Sequence, residues 1–472
     1  MNHSLSVAKT IRKLDVATML FRQFKSLAFT IVFALAANAA HAQTTVTNTA
    51  TVTPPTGVTD PTCNVANPPC NSVSDTDTVT PLRVNLTKTW VNAIAGNAVS
   101  LTITGGNAPT AGTSTAPATT TAAGANAAAG STITLTEAFT TGSAANYNTT
   151  LVCLKASDSS VVTVSGSGLS RTITMPSDSN VNCTYTNTRI QATLTLRKSW
   201  TNAIVNNAVN LPATTGFTNN TALFNSVANT TTETDTGVSV TVFAGETGTL
   251  TAEAFTVGSA ANYNATLTCT GNATALAGNS LTVSAADTAI VCTYSNTRLQ
   301  STLRLAKAWG ANSITGNVAS IGATTGLTNN TALFTSTAST NTNGAFVTVF
   351  AGETATLPAE TMTTGSLANY TTALACDNGV TPSGANGQAS NTVTIAAANA
   401  GQAITCTYTN TRRSATLTLR KSWTNAVVNN AVNLPATTGF TNNTALFNSV
   451  ANTTTETDTG VPVTVFAGET GT

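Results

Sequence analysis

Leu194-Thr195-Leu196-Arg197-Lys198-Ser199-Trp200 alternates apolar and polar side chains and ends on one of four tryptophans in a chain of 472 residues. A period of two places Leu194, Leu196, Lys198 and Trp200 on one face of an extended strand, with Thr195, Arg197 and Ser199 on the other. The phrase therefore reads as a β-strand that buries its Leu and Trp face, and a lysine shares that face. It recurs as LTKTW ending at Trp90, LAKAW at Trp309 and LRKSW at Trp423, at intervals of 110, 109 and 114 residues. Intervals of that size mark tandem domains, not short solenoid repeats.

A second phrase closes each unit: CTYTNTR at Cys183–Arg189 and Cys406–Arg412, and CTYSNTR at Cys292–Arg298. The two phrases divide the chain into repeats at 82–190, 191–299 and 300–413, followed by 414–472. Residues 415–472 repeat 192–249 with two changes, Ile204 to Val427 and Ser239 to Pro462, and stop before a closing phrase. That last stretch is expected to be a truncated fourth repeat.

Alternation continues inside the units. Tyr263, Ala265, Leu267 and Cys269 are expected to point inward, as are Ile290, Cys292, Tyr294 and Asn296. The Glu-bearing segment reads LTEAF in the first repeat but LTAEAF and LPAETM in the next two, so a bulge is expected to absorb the extra residue. The Ala- and Thr-rich run from Gly105 to Gly130 reads as a long exposed loop. Short regular strands at about a hundred residues per unit predict an all-β chain of tandem antiparallel β-sandwiches.

Composition narrows the function. Charged residues make up 8% of the chain and aromatic residues 5%. Residues 1–42 read as a signal peptide: five basic residues and an apolar stretch from Leu27 to Ala37 precede the small-x-small site Ala40-His41-Ala42. Both histidines, His3 and His41, fall within it. A chain without histidine has no His-based triad and no HExxH zinc site. No catalytic residue, metal site or cofactor is expected. Cleavage after Ala42 leaves 14 basic and 17 acidic residues, which disfavours nucleic acid. No later apolar run is long enough to span a membrane as a helix. Export implies an extracellular or cell-surface location.

The eight cysteines pair by position as Cys63 with Cys70, Cys153 with Cys183, Cys269 with Cys292, and Cys376 with Cys406. An even count in an exported chain, with one pair per repeat, reads as disulfides. Only five lysines follow residue 42, and Lys88, Lys198, Lys307 and Lys421 all stand two residues before a tryptophan. An ammonium on a core face needs a partner. Two minor motifs carry less: Leu211–Gly216 (LPATTG) has one Thr too many for a sorting signal, and Asp75 and Asp77 are too few for a calcium cage.

The opening LTLRKSW, the middle GTLTAEAF and the closing CTYSNTR resemble the B-type repeats of collagen-binding adhesins and the prealbumin-like modules of SpaA-type pilins. The resemblance runs from about residue 82 to 472. Thr45–Val79 (TVTNTATVTPPTGVTDP, then SDTDTV) is similar to the closing strands of the Thr- and Asn-rich conserved repeat domain of bacterial surface proteins, which makes 43–81 a partial repeat or linker. The pilin resemblance implies a spontaneous amide bond between a lysine of the first strand and an asparagine of the last, promoted by a carboxylate. The matching residues are Lys88, Glu137 and Asn187; Lys198, Glu253 and Asn296; and Lys307, Glu360 and Asn410. On the residues alone, a buried Lys–Glu ion pair or a snorkelling lysine is preferred to the bond.

The implied role is a non-enzymatic structural stalk or adhesin at a bacterial cell surface, with an unknown surface or host ligand. The alternative is a glycan- or protein-binding module using the loops 218–236 and 328–344. Phe217 and Phe224, in or beside the first loop, read as core residues.

Overall fold

The computed structural model describes residues 45–51, 72–78, 81–384 and 386–472. The expected signal peptide and the Cys63–Cys70 pair lie outside the described residues. Before the first repeat, Thr45–Thr51 and Ser72–Thr78 form a two-stranded antiparallel pair. From there the chain falls into two compact units: one ends at Gln191 and includes Phe243–Gly245, and the other holds Ala192–Val242 with Glu246–Thr472. Among the described residues the helical elements are short 3-10 turns, and no helix is long and apolar enough to cross a membrane.

In the first unit the opening strand Leu82–Val91 lies beside the closing strand Val181–Arg189 in a six-stranded sheet. The two run parallel, with Lys88 opposite Tyr185 and Trp90 opposite Asn187. All other pairings of the sheet are antiparallel. A parallel pair requires a long crossover, and here the crossover is the rest of the module. A second, five-stranded sheet contains Ala98–Thr104 and Thr132–Thr141. Val84, Leu86, Val99, Leu101, Ile133, Leu135 and Tyr185, drawn from both sheets, form one buried core. This is the expected sandwich, its inner faces built by period-two alternation.

Residues 105–130 are not a loop. They contain the strands Asn107–Thr110, Gly112–Thr115 and Thr120–Ala127, and the last pairs with the opening strand. Ala123, Ala125 and Ala127 are buried. Low complexity here reflects small residues that pack closely: a Cβ on Gly124 would come within 2.5 Å of the Arg83 guanidinium.

Residues 192–298 and 300–412, which apart from Phe243–Gly245 belong to the second unit, repeat the parallel pairing of opening and closing strands, with sheets of five, three and two strands. Gln191–Thr201 pairs parallel with Ala289–Arg298, and Gln300–Trp309 with Ala403–Arg412. Each repeat has its own buried core, around Trp200, Leu250 and Tyr294 in one and around Leu305, Leu357 and Tyr408 in the other. Phe217 is buried and Phe224 packs against the core, as their composition suggested.

Two local expectations fail. The extra residue before Glu253 is not absorbed by a bulge: the long strand Thr132–Thr141 of the first repeat is replaced by Thr247–Thr249 and Ala254–Val257, with Glu253 between them. In the next repeat the gap falls between Thr354–Leu357 and Thr361–Thr364. It contains Pro358, which has no N–H for a ladder. Of Tyr263, Ala265, Leu267 and Cys269, only Ala265 is exposed: Tyr263 is buried, and Leu267 and Cys269 pack half-buried against the core from Tyr263–Thr270, the outer strand of its sheet.

Candidate functional site

The strand alternation that buries Trp90 also buries Lys88, and both are 7% exposed or less. Lys88 Nζ lies 3.0 Å from Glu137 Oε2 and 4.5 Å from the centre of the Trp90 ring. Asn187, in register with Trp90, donates from Nδ2 to Glu137 Oε1 at 2.5 Å. One carboxylate thus holds the amine on one oxygen and the amide on the other.

The second repeat brings Lys198 Nζ to 2.7 Å from Glu253 Oε2 and 4.6 Å from the Trp200 ring. Asn296 stands in register with Trp200, and its two amide atoms are buried without a hydrogen-bond partner among the described residues. The Glu253 side chain is 11% exposed, whereas those of Glu137 and Glu360 are 0% exposed. In the third repeat Lys307 Nζ lies 3.5 Å from Glu360 Oε1, and Asn410 Nδ2 donates to that oxygen at 2.7 Å. Lys307 also donates to the carbonyls of Ala308 and Tyr408.

Desolvation sets the electrostatics. Burial pulls each of Lys88, Lys198 and Lys307 down to about 8, against the opposing pull of its glutamate. Burial likewise raises Glu360 above the usual carboxyl range, despite Lys307 and the bond from Asn410. A lysine that loses its proton this readily supplies an amine nucleophile, and a carboxyl that holds one supplies an acid.

The neighbouring side chains fix the elements. Tyr185 donates from its hydroxyl to the Leu135 carbonyl at 2.8 Å, tying the closing strand to the strand that carries Glu137. Tyr294 donates to Thr251 O at 2.8 Å, and Tyr408 to Pro358 O at 2.6 Å. The Nε1 atoms of Trp90, Trp200 and Trp309 donate to Ser114, Ser226 and Ser336. On the other flank of the closing strand the disulfides Cys153–Cys183, Cys269–Cys292 and Cys376–Cys406 join residues directly opposite one another. No described cysteine is free.

Of the nine residues expected from the sequence, the structure brings each Lys to its Glu, and Asn187 and Asn410 to Glu137 and Glu360, but gives Asn296 no hydrogen bond among the described residues. Sequence reasoning missed Thr149, whose hydroxyl donates to Asn187 Oδ1 at 2.7 Å. The signal was present: an antiparallel disulfide fixes the register, and counting four residues from each half-cystine leads from Cys153 to Thr149 and from Cys183 to Asn187.

Residues 72–189 and 297–412 match the model of a prealbumin-like fold domain of the SpaA type. No curated protein matches the sequence. Among solved structures, the Bacillus anthracis TIE protein is similar at 9% identity and TM-score 0.32, over 72% of this chain and 54% of its own. This chain thus spans about half the length of that protein. The major pilin protein T-13 of Streptococcus pyogenes aligns at 12% identity and TM-score 0.26, over 47% of this chain and 98% of its own. A C-terminal fragment of the pilus adhesin SpaC from Lactobacillus rhamnosus GG aligns at 13% identity and TM-score 0.25, over 47% and 98%. The chain carries prealbumin-like fold domains of the SpaA family at residues 72–189 and 297–412.

Proposed function

We propose that this chain is a non-enzymatic stalk or adhesin element of a bacterial cell surface whose modules lock themselves with amide bonds from Lys88 to Asn187, Lys198 to Asn296 and Lys307 to Asn410. The observation that carries the reading is the shared carboxylate: Glu137 touches both the Lys88 amine and the Asn187 amide inside a dry core. The lysine nitrogen attacks the asparagine Cγ, the Cγ–Nδ2 bond breaks, and ammonia leaves. The carboxyl takes a proton from the attacking nitrogen and gives one to the departing nitrogen, so it is unchanged at the end.

Placement supports a mechanical role. Each bond would join the two parallel strands at which the chain enters and leaves a module, so tension would pass from one to the other without unravelling what lies between. A joint within the second unit is also pinned. Arg298 Nε donates to Ala351 O at 2.7 Å, its guanidinium lies 5.6 Å from the Phe350 ring, and Ala351 N donates to Leu299 O at 2.9 Å. Arg412 makes the corresponding contacts with Ala467 and Phe466.

Mass spectrometry of the reduced, denatured full chain tests the proposal. The expected result is a deficit of one ammonia for each of the three Lys, Glu and Asn clusters. Glu137→Ala, Glu253→Ala or Glu360→Ala should each abolish one. An unmodified mass in folded protein would leave the buried ion pair as the correct reading.

A further inference from the structure

The three clusters differ at the position facing the asparagine carbonyl. Directly across the sheet from Asn187 stands Thr149; from Asn296, Ala265; and from Asn410, Thr372. In the first repeat the amide is held at both ends, Oδ1 accepting from Thr149 Oγ1 at 2.7 Å and Nδ2 donating to Glu137. In the second, Ala265 offers no donor, and both amide atoms of Asn296 are buried without a partner among the described residues. In the third, Nδ2 is held by Glu360 while Oδ1 is buried without a partner, although Thr372 stands directly opposite on the neighbouring strand.

We infer that Thr149 is a catalytic residue of amide-bond formation, an oxyanion donor that polarises the Asn187 carbonyl, and that its replacement by Ala265 makes the second repeat the slowest to lock. The inference rests on the crosslink reading given above.

The chemistry follows from the geometry. Attack of the neutral Lys88 amine on Cγ moves the carbonyl π electrons onto Oδ1. A hydroxyl already donating to that oxygen meets the developing charge without reorganising, at an amide that is itself fully buried. Glu137 occupies the other side, with Oε2 toward the attacking nitrogen and Oε1 toward the departing one. When the oxyanion collapses, the carbonyl reforms, ammonia departs and the Thr149 proton stays on its own oxygen. Thr149 is neither consumed nor ionised. Its distinct task is to activate the carbonyl, whereas the carboxyl moves protons.

The test follows bond formation after a pulse of isotope-labelled synthesis of the full chain, with the crosslinked peptide of each repeat counted separately by mass spectrometry. Thr149→Val should slow formation of the Lys88–Asn187 bond by about 100-fold, the usual effect of losing one oxyanion donor. The rates of the other two repeats should be unchanged. Thr149→Ser keeps a hydroxyl and should retain most of the rate. Ala265→Thr supplies the missing donor and should accelerate the second repeat, a gain that a purely structural role for the residue would not produce. Formation of the Cys153–Cys183 disulfide serves as the folding control. If Thr149→Val locks as fast as the parent while losing ammonia normally, the inference fails and the crosslink reading stands. If no repeat of the parent chain loses ammonia, the crosslink reading itself is wrong and the inference falls with it.

Discussion

Lys88 and Glu137 meet at 3.0 Å with neither side chain reaching solvent. Taking two opposite charges out of water is expensive, and their attraction alone rarely recovers the cost. Lys198 with Glu253 and Lys307 with Glu360 are paired likewise, at 2.7 and 3.5 Å, with the Glu253 side chain 11% exposed. Conversion of the lysine into an amide with the asparagine removes the buried ammonium, while the carboxyl stays in place and is left to its remaining hydrogen bonds.

Breaking one pair without allowing the bond should be severe. On an Asn296→Ala background, Glu253→Ala leaves the Lys198 ammonium in the core without its carboxylate. A loss of about 3–5 kcal/mol is expected in chemical denaturation, compared with Asn296→Ala alone. A loss under about 1 kcal/mol would mean that Lys198 escapes to water once freed.

The unlinked chain should gain stability with alkali. The folded lysines sit at about 8 and the unfolded value is 10.5. Between those limits the unfolded state binds more protons, so the free energy of unfolding rises with pH. The contribution is smallest below pH 8 and fully present above 10.5. Denaturation of a chain carrying Asn→Ala at 187, 296 and 410 should show this rise, and the linked parent should lack it because an amide does not titrate.

Ser226 accepts from Trp200 Nε1 at 2.8 Å and donates to Asp235 Oδ2 at 2.6 Å. Ser226→Ala orphans a buried indole N–H and should cost about 1–3 kcal/mol. Thermal denaturation of the unlinked chain would read it, and Ser226→Thr should recover part of the loss.

The pinned joint in the second unit should loosen when its arginine is removed. Arg298→Ala loses the bond to Ala351 O and the packing on Phe350. Limited proteolysis should then cut near Leu299, while the disulfides on either side, Cys269–Cys292 and Cys376–Cys406, stay intact. Unchanged resistance would show that the backbone bond from Ala351 to Leu299 suffices.

Each disulfide closes a loop of 23 or 30 residues. In the chain-entropy model, Cys269→Ser with Cys292→Ser should cost about 3.5 kcal/mol when the Lys198–Asn296 bond is absent. With that bond formed the unfolded chain is already restrained, and the loss measured by denaturation should be smaller.

Strand placement was legible because period-two alternation and two recurring phrases leave little freedom. The opening and closing strands, the half-cystines and the clustering of lysine before tryptophan all follow from it. Residues 105–130 were misread because alanine and threonine carry a weak signal: what makes Thr120–Ala127 a strand is the unpaired edge of Leu82–Val91 beside it. The break before Glu253 was missed for a similar reason, since one added residue can bulge or interrupt, and the pairing partners decide which.

Residues 192–249 and 415–472 separate the two kinds of information, being nearly the same sequence twice. Sequence alone determined what they share: the strands Ala208–Leu211 and Ala431–Leu434, the hairpins, and the tryptophan donating to Ser226 or Ser449. Tertiary structure decided what they do not. Leu194, Leu196, Lys198 and Trp200 are buried, whereas Leu417, Leu419, Lys421 and Trp423 are only half-buried. Ala289–Arg298 lies against the first set, and among the described residues no strand lies at the corresponding flank of the second. Alternation chooses which side chains face inward, but only a neighbouring strand removes the water that would otherwise keep a lysine an ordinary lysine.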